Sequence, residues 1–202
     1  SSLMTSTTEH PNAQIAPFKN EVVKSFDDPG DAAAMREALA RVKQRLGAEY
    51  PLIIDGRRIG DTEPAYIIAE LGGNHGGSVE LATTMIRAAA LAGASAVKFQ
   101  KRENATLYTQ ALLNAPYENE NSYGPTYGAH RAALELSPAQ LAICQATARA
   151  NLVTCFATAF DEPSADILME LGMPAIKIAS GSLTDTALLR HVAAFQQPVI
   201  LS

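Results

Sequence analysis

From Tyr66 onward the apolar positions alternate between two periods. Short runs with strand-type patterning, Tyr66–Leu71, Ala96–Gln100, Leu152–Thr158, Ala175–Ala179 and Val199–Ser202, are separated by stretches where apolar residues recur every three or four positions. The first such stretch starts near Ser78, turns Leu81, Met85, Ala88 and Ala92 inward, and stops at Gly93. The next has Ser137 as cap, Pro138 in the first turn and Gln140 completing a capping box. Two more are predicted over Pro163–Leu171, ending at Gly172, and over Asp185–Phe195. Strands alternating with helices predict a parallel sheet with right-handed crossovers. An eight-stranded barrel usually needs ~250 residues. The expected fold is therefore α/β: a (β/α)8 TIM barrel of which about the first five strands are present, preceded by an N-terminal helix and a β-hairpin. A five-stranded doubly wound sheet is the alternative, although GGNHGG after the first strand lacks GxGxxG spacing.

Residues 1–50 read as an N-terminal extension. Its first twenty residues are polar and aperiodic, which predicts disorder. A helix follows, with Asp28-Pro29 at its start, Met35, Leu39, Val42 and Leu46 on one face, and Gly47 as its stop. Residues 51–202 form the second region. Leu52-Ile53-Ile54 and Arg57-Arg58-Ile59 flank Asp55-Gly56, a two-residue hairpin signal. Between the second predicted strand and the Ser137 cap lie about 35 residues, against the usual ~2–6 for such a connection, which predicts a functional or mobile loop.

Strand side chains alternate faces, so parity sorts the polar residues. Lys98 and Gln100 share one face of their strand, while Val97 and Phe99 suit the helix layer. By the same rule Glu70 groups with Ile68, and Thr158 with Thr154 and Phe156. Lys177 lies between Ile176 and Ile178, and Ser180 falls beyond the strand, in the turn. Glu70, Lys98, Gln100, Thr158, Lys177, Ser180 and Ser202 thus converge at the carboxyl ends of successive strands, where barrel enzymes keep their chemistry. Two lysines with several hydroxyls suit a small, multiply charged anion. The competing reading is an internal salt-bridge network of Glu70, Lys98 and Lys177. His75, after Asn74 in a glycine-rich turn, serves either a structural hydrogen bond or the site. No second histidine sits at metal-ligand spacing, so no metal ligand is assigned.

A net charge of −5 and a pI near 5.4 give no electrostatic reason to bind nucleic acid or an anionic membrane. No apolar run approaches the ~20 residues that span a bilayer. Cys144 and Cys155 read as reduced packing residues, which suits a cytoplasmic location.

The segments IIAELGGNHGGS, AGASAVKFQKRE, SYGPTYGAHRAALELS, FATAFDE, KIASGSL and QPVILS together resemble the N-acetylneuraminate (sialic acid) synthase family, most closely its eukaryotic-type members and their bacterial relatives. The resemblance covers roughly Pro64 to Ser202, and the hairpin also suits the one preceding that family's barrel. It implies a TIM barrel followed by a small antifreeze-like domain, in a domain-swapped homodimer. It also implies a reaction: phosphoenolpyruvate condenses with an open-chain N-acylated aminosugar, N-acetylmannosamine or its 6-phosphate. The product is a nine-carbon 2-keto acid. C3 of the enol attacks the aldehyde, water adds at C2, and phosphate leaves by C–O cleavage. The family polarises the aldehyde with a divalent metal, Mn or Mg, whose ligands would lie beyond Ser202. By matching position, Lys98, Thr158, Lys177, Ser180 and Ser202 would bind phosphoenolpyruvate. Glu70 would address the sugar or a water, with Asn74 and His75 shaping its loop and Gln100 supporting the anion site. Residues Tyr123–Arg131 would act as a lid.

Two departures from the family pattern stand out. The position after the KIASG glycine is usually acidic and is here Ser182, a poor general base unless activated, with Asp185 as a nearby candidate replacement. The chain also ends before the family's metal-binding histidines, so it is expected to be catalytically silent alone. Phosphate release with phosphoenolpyruvate, sugar and manganese would refute that expectation. Two other functions compete: a Schiff-base aldolase using Lys177 or Lys98, and a non-catalytic sugar- or anion-binding paralogue.

Overall fold

The computed structural model describes residues 52–60 and 62–202, together with Glu37 and Arg41. The rest of the extension, including the predicted apolar face of Met35, Leu39, Val42 and Leu46, lies outside the described residues. Glu37 and Arg41 are helical and form an i,i+4 ion pair of 2.6 Å.

The chain forms two units, residues 1–64 with 201–202, and residues 65–200. In the first, β1 (Leu52–Ile54) pairs antiparallel with β2 (Arg57–Ile59). Asp55 and Gly56 both take positive φ, 51° and 76°, the backbone that a tight two-residue hairpin turn demands.

The second unit begins with β3 (Ile68–Gly72), α1 (Val79–Leu91) and β4 (Ala96–Lys101). Three short helices follow, α2 (Asn104–Leu107), α3 (Gln110–Leu113) and α4 (Tyr127–Leu134), then α5 (Pro138–Ala150) and β5 (Thr154–Ala159). α6 (Glu162–Glu170), β6 (Ile176–Ile178), a 3₁₀ turn at Ser180–Ser182, α7 (Thr186–Ala194) and β7 (Val199–Leu201) complete it. The strands stand side by side in chain order, β3-β4-β5-β6-β7, and the registered pairs are parallel. The order never reverses, so this is not the doubly wound alternative, which requires a reversal at a switch point. Among the described residues no helix is long and apolar enough to cross a membrane.

Local chemistry sets the element ends. Ser78, Ser137, Asp161 and Asp185 each accept a hydrogen bond from a backbone N–H of the helix they precede. Ser137 and Gln140 form the full capping box. Gly93 and Gly172 follow α1 and α6 at positive φ, 86° and 66°. All six residues of β5 are buried, and in β4 only Gln100 is not. Val97 and Phe99 are fully covered, as parity predicts for side chains facing a helix layer.

Three expectations need correction. The buried side of α1 is Ala82 and Ile86, whereas Leu81, Ala88 and Ala92 are exposed. The predicted stripe was one residue out of phase, an error of about 100° on a helix. Leu152 does not open β5: it sits at φ 58°, 94% exposed, and the strand begins at Thr154. The connection after β4 is not structureless, since α2, α3 and α4 lie within it. Each is short, which is why none produced a readable period.

Candidate active site

Sheet register places the polar residues in two rows. Glu70 is opposite Lys98; above them, Gln100 is opposite Thr158, which is opposite Lys177. Lysine side chains are long enough to join the rows. Lys98 Nζ donates to Thr158 Oγ1 at 3.1 Å and lies 3.6 Å from Glu70 Oε2. Lys177 Nζ donates to Glu70 Oε1 at 2.8 Å. One carboxylate therefore bridges two ammonium groups from strands on either side of β5. Lys98 is 2% exposed, and burial pushes its pKa down against the opposing pull of Glu70. Glu70 is held below the ordinary carboxylate range, first by its hydrogen bond from Lys177, against its own desolvation, and further by the Lys98 charge. Its side chain remains 58% exposed, whereas the Lys98 and Lys177 side chains beneath it are 3% and 16% exposed.

The Asn-His loop is bound by its own hydrogen bonds. Asn74 Nδ2 donates to the Leu71 carbonyl at 3.0 Å. His75 is 2% exposed, packs its ring against Phe99 and accepts the Gly77 N–H at Nδ1, 3.0 Å away. Burial lowers its pKa, so it is neutral at pH 7. Gly77, at φ 82°, lies so close to the Ala133 carbonyl oxygen that a Cβ would collide with it. Any Cβ on Gly76 would meet the Tyr123 hydroxyl at 2.9 Å. The two glycines let the chain around α4 rest directly on this loop.

Ser180 opens the 3₁₀ turn after β6 and is exposed. Ser202 follows β7, exposed, in the other unit. Ser182 closes that turn through its N–H to Ala179. Asp185, the suggested substitute base, uses Oδ1 to accept the Leu188 N–H as the cap of α7.

Sequence reasoning missed a second charged group just past β4. Arg102 donates to Gln100 Oε1 at 2.9 Å and stacks on Phe160, 3.8 Å from the ring centroid. Glu135 receives Arg102 at 3.7 Å and Lys101 at 3.4 Å, and also the Arg102 N–H. Arg131 is anchored by its Nε donating to Tyr127 Oη at 2.9 Å. The signal was present: Arg102 continues the two-residue step of Lys98 and Gln100 beyond the strand.

Among the described residues no group of three His, Cys, Asp or Glu stands close enough to hold a metal. Glu70 faces two ammonium groups, and His75 Nδ1 is taken by a backbone N–H. The residues present do not fit a divalent ion.

The NeuB family pattern matches residues 85–202, more than half the chain. The chain belongs to the NeuB family. This NeuB-family chain is 39% identical over 150 residues to the N-acetylneuraminate-9-phosphate synthase of Drosophila melanogaster, covering 74% of itself and 40% of that protein. It is 36% identical over 144 residues to the N,N'-diacetyllegionaminic acid synthase of Legionella pneumophila, covering 71% of itself and 40% of that relative. It superposes on the N-acetylneuraminic acid synthetase of Leptospira borgpetersenii, solved with citrate, at a TM-score of 0.60 and 31% identity. That match covers 75% of this chain and 49% of the other. The NeuB-family chain thus spans about two fifths of the length of the curated relatives it matches.

Proposed function

We propose that this chain carries the phosphoenolpyruvate site of a synthase that joins phosphoenolpyruvate to an N-acylated aminosugar, N-acetylmannosamine or its 6-phosphate. The product is a nine-carbon 2-keto acid of the sialic acid type, with release of phosphate. In this reading the five strands are the first part of a TIM barrel, and the whole protein is a homodimer that uses Mn or Mg held outside the described residues. The observation that carries the reading is the joining of Lys98, Thr158, Lys177 and Glu70 at the ends of adjacent strands. Family membership supports it.

Lys98 and Lys177, both paired with Glu70, receive the carboxylate and phosphate of phosphoenolpyruvate in place of that carboxylate. Thr158 and Ser180 add hydroxyl donors, and Gln100 steadies the anion. As the C–O bond to phosphate breaks, the lysines sit beside the charge that develops, where fixed cations lower the barrier most. Glu70, released from the lysines by the incoming anion, is left to orient the sugar or the water that adds at C2. Asn74 and His75 hold the loop beneath it. The segment Tyr123–Arg131 covers the sugar and keeps water from the enol.

The full-length protein, given phosphoenolpyruvate, either aminosugar and manganese, should release phosphate and form the keto acid. Oxygen-18 from solvent should enter the keto acid and not the phosphate. Absence of keto acid with both sugars would refute the assignment. The imine-forming reading gains one observation, the lowered pKa of the buried Lys98. Borohydride trapping of Lys98 or Lys177 with a keto acid would favour it.

A further inference from the structure

We propose that Arg102 and Arg131 form a second anion subsite, at the rim above the two site lysines, that takes a terminal phosphate group. Along β4 the side chains facing the site are Lys98 and then Gln100. Arg102 is the next at the same step, and its guanidinium donates to Gln100. Lys101, Arg102 and Arg131 gather around a single carboxylate, Glu135, which the first two reach at 3.4 and 3.7 Å. Glu135 also acts electrostatically on Arg131, and the two arginines act on each other. This group holds three cations and one anion.

Lys101 is 7% exposed and only the edges of Arg102 reach solvent, so the excess positive charge is largely withdrawn from water. Such an excess is costly unless a counter-anion enters. Anchoring the loop accounts for Glu135, which ties Lys101 and the Arg102 backbone to the chain just before α5. It does not account for Arg131. That guanidinium is held by Tyr127 Oη and lies over the Tyr127 ring, 5.2 Å from its centroid. Tyr108 packs edge-on against Tyr127. Planar guanidinium forks are matched to phosphate oxygens, and a dianion balances two uncompensated charges. Gln100 separates this group from the lysines, so the two anion sites are bridged by a neutral polar side chain. The position of the subsite above bound phosphoenolpyruvate rests on the function proposed above. That phosphate is either the distal ester phosphate of the acceptor sugar or inorganic phosphate leaving the reaction.

Calorimetric titration of the full-length protein with N-acetylmannosamine 6-phosphate, N-acetylmannosamine and inorganic phosphate, with and without phosphoenolpyruvate, tests this. The sugar phosphate should bind at least tenfold tighter than the unphosphorylated sugar. Arg102→Gln and Arg131→Gln should each weaken it at least tenfold. Arg131 is half-buried, so Arg131→Gln is the variant expected to keep the fold, checked by an unchanged thermal melt. Unchanged sugar-phosphate affinity in folded Arg131→Gln would overturn the subsite, as would a tenfold loss of sugar-phosphate affinity in Lys98→Met, which would place it at the lysines. Inorganic phosphate binding as tightly as the sugar phosphate assigns the subsite to released phosphate, and tenfold weaker binding assigns it to the acceptor. Should phosphoenolpyruvate fail to bind while the sugar phosphate still depends on Arg131, the synthase reading falls and the subsite stands.

Discussion

Lys98 is a charged side chain withdrawn from water, and its desolvation is costly. It is an ammonium at 2% exposure, and the nearest carboxylate, Glu70, is shared with Lys177. Lys98→Met removes a desolvated charge while keeping the volume, so the melting temperature should hold or rise, whereas anion affinity should fall at least tenfold. Because burial lowers the Lys98 pKa, its charge is lost on the alkaline side earlier than for an ordinary lysine. Anion binding should therefore weaken as pH rises through that lowered value, and Lys98→Met should lose this alkaline limb. On the acid side two groups act in sequence. His75 has a folded pKa below its unfolded value near 6.5, so the unfolded chain takes up the proton first and stability falls as pH drops below about 6.5. Protonation at Nδ1 would also break the bond from Gly77. Glu70, depressed below about 4.5, contributes stability that is lost only in a second limb, as pH falls through its lowered value. Thermal melts across pH 3–7 should show both limbs, and His75→Gln should lose the first alone. Strand parity made Glu70, Lys98, Gln100 and Lys177 legible from sequence. It stopped at the strand end, so Arg102, one step further, was missed. Glu135 and Arg131 were beyond reach because their approach depends on how the chain after β4 folds back.

At the scale of elements, turn chemistry was read more accurately than faces. The Ser137–Gln140 box, the Asp55-Gly56 hairpin and the glycines after α1 and α6 are fixed by backbone demands within a few residues. The inward face of α1 depends on which neighbours cover it. An alanine-rich helix supports two adjacent stripes, and the fold buries the one carrying Ala82 and Ile86. The contact between the Asn-His loop and the chain around α4 was not readable at all, since two glycines carry it. Gly77→Ala combines a left-handed backbone with a collision against the Ala133 carbonyl. It should cost about 2 kcal/mol or more and free the segment near α4, seen as lost amide-exchange protection over residues 123–134. Ser137→Ala, which removes the cap of α5, should cost about 1 kcal/mol in denaturant melts.

For the whole molecule, strand order decides most. Five strands in unbroken chain order bring residues distant in sequence, Glu70 and Lys177, to 2.8 Å across the ends of the sheet. The barrel expected from the alternation of elements already required this unbroken order, and the doubly wound alternative stayed open because crossover direction leaves no local trace. The central claim is that Lys98 and Lys177 hold one compact anion between them. Calorimetric titration of the 202-residue chain with phosphoenolpyruvate at low ionic strength tests it most directly. The account predicts saturable binding of one molecule per chain, weakened by added salt and reduced at least tenfold by Lys98→Met and by Lys177→Met. Binding that neither substitution changes, or no saturable binding by a folded chain, would contradict it.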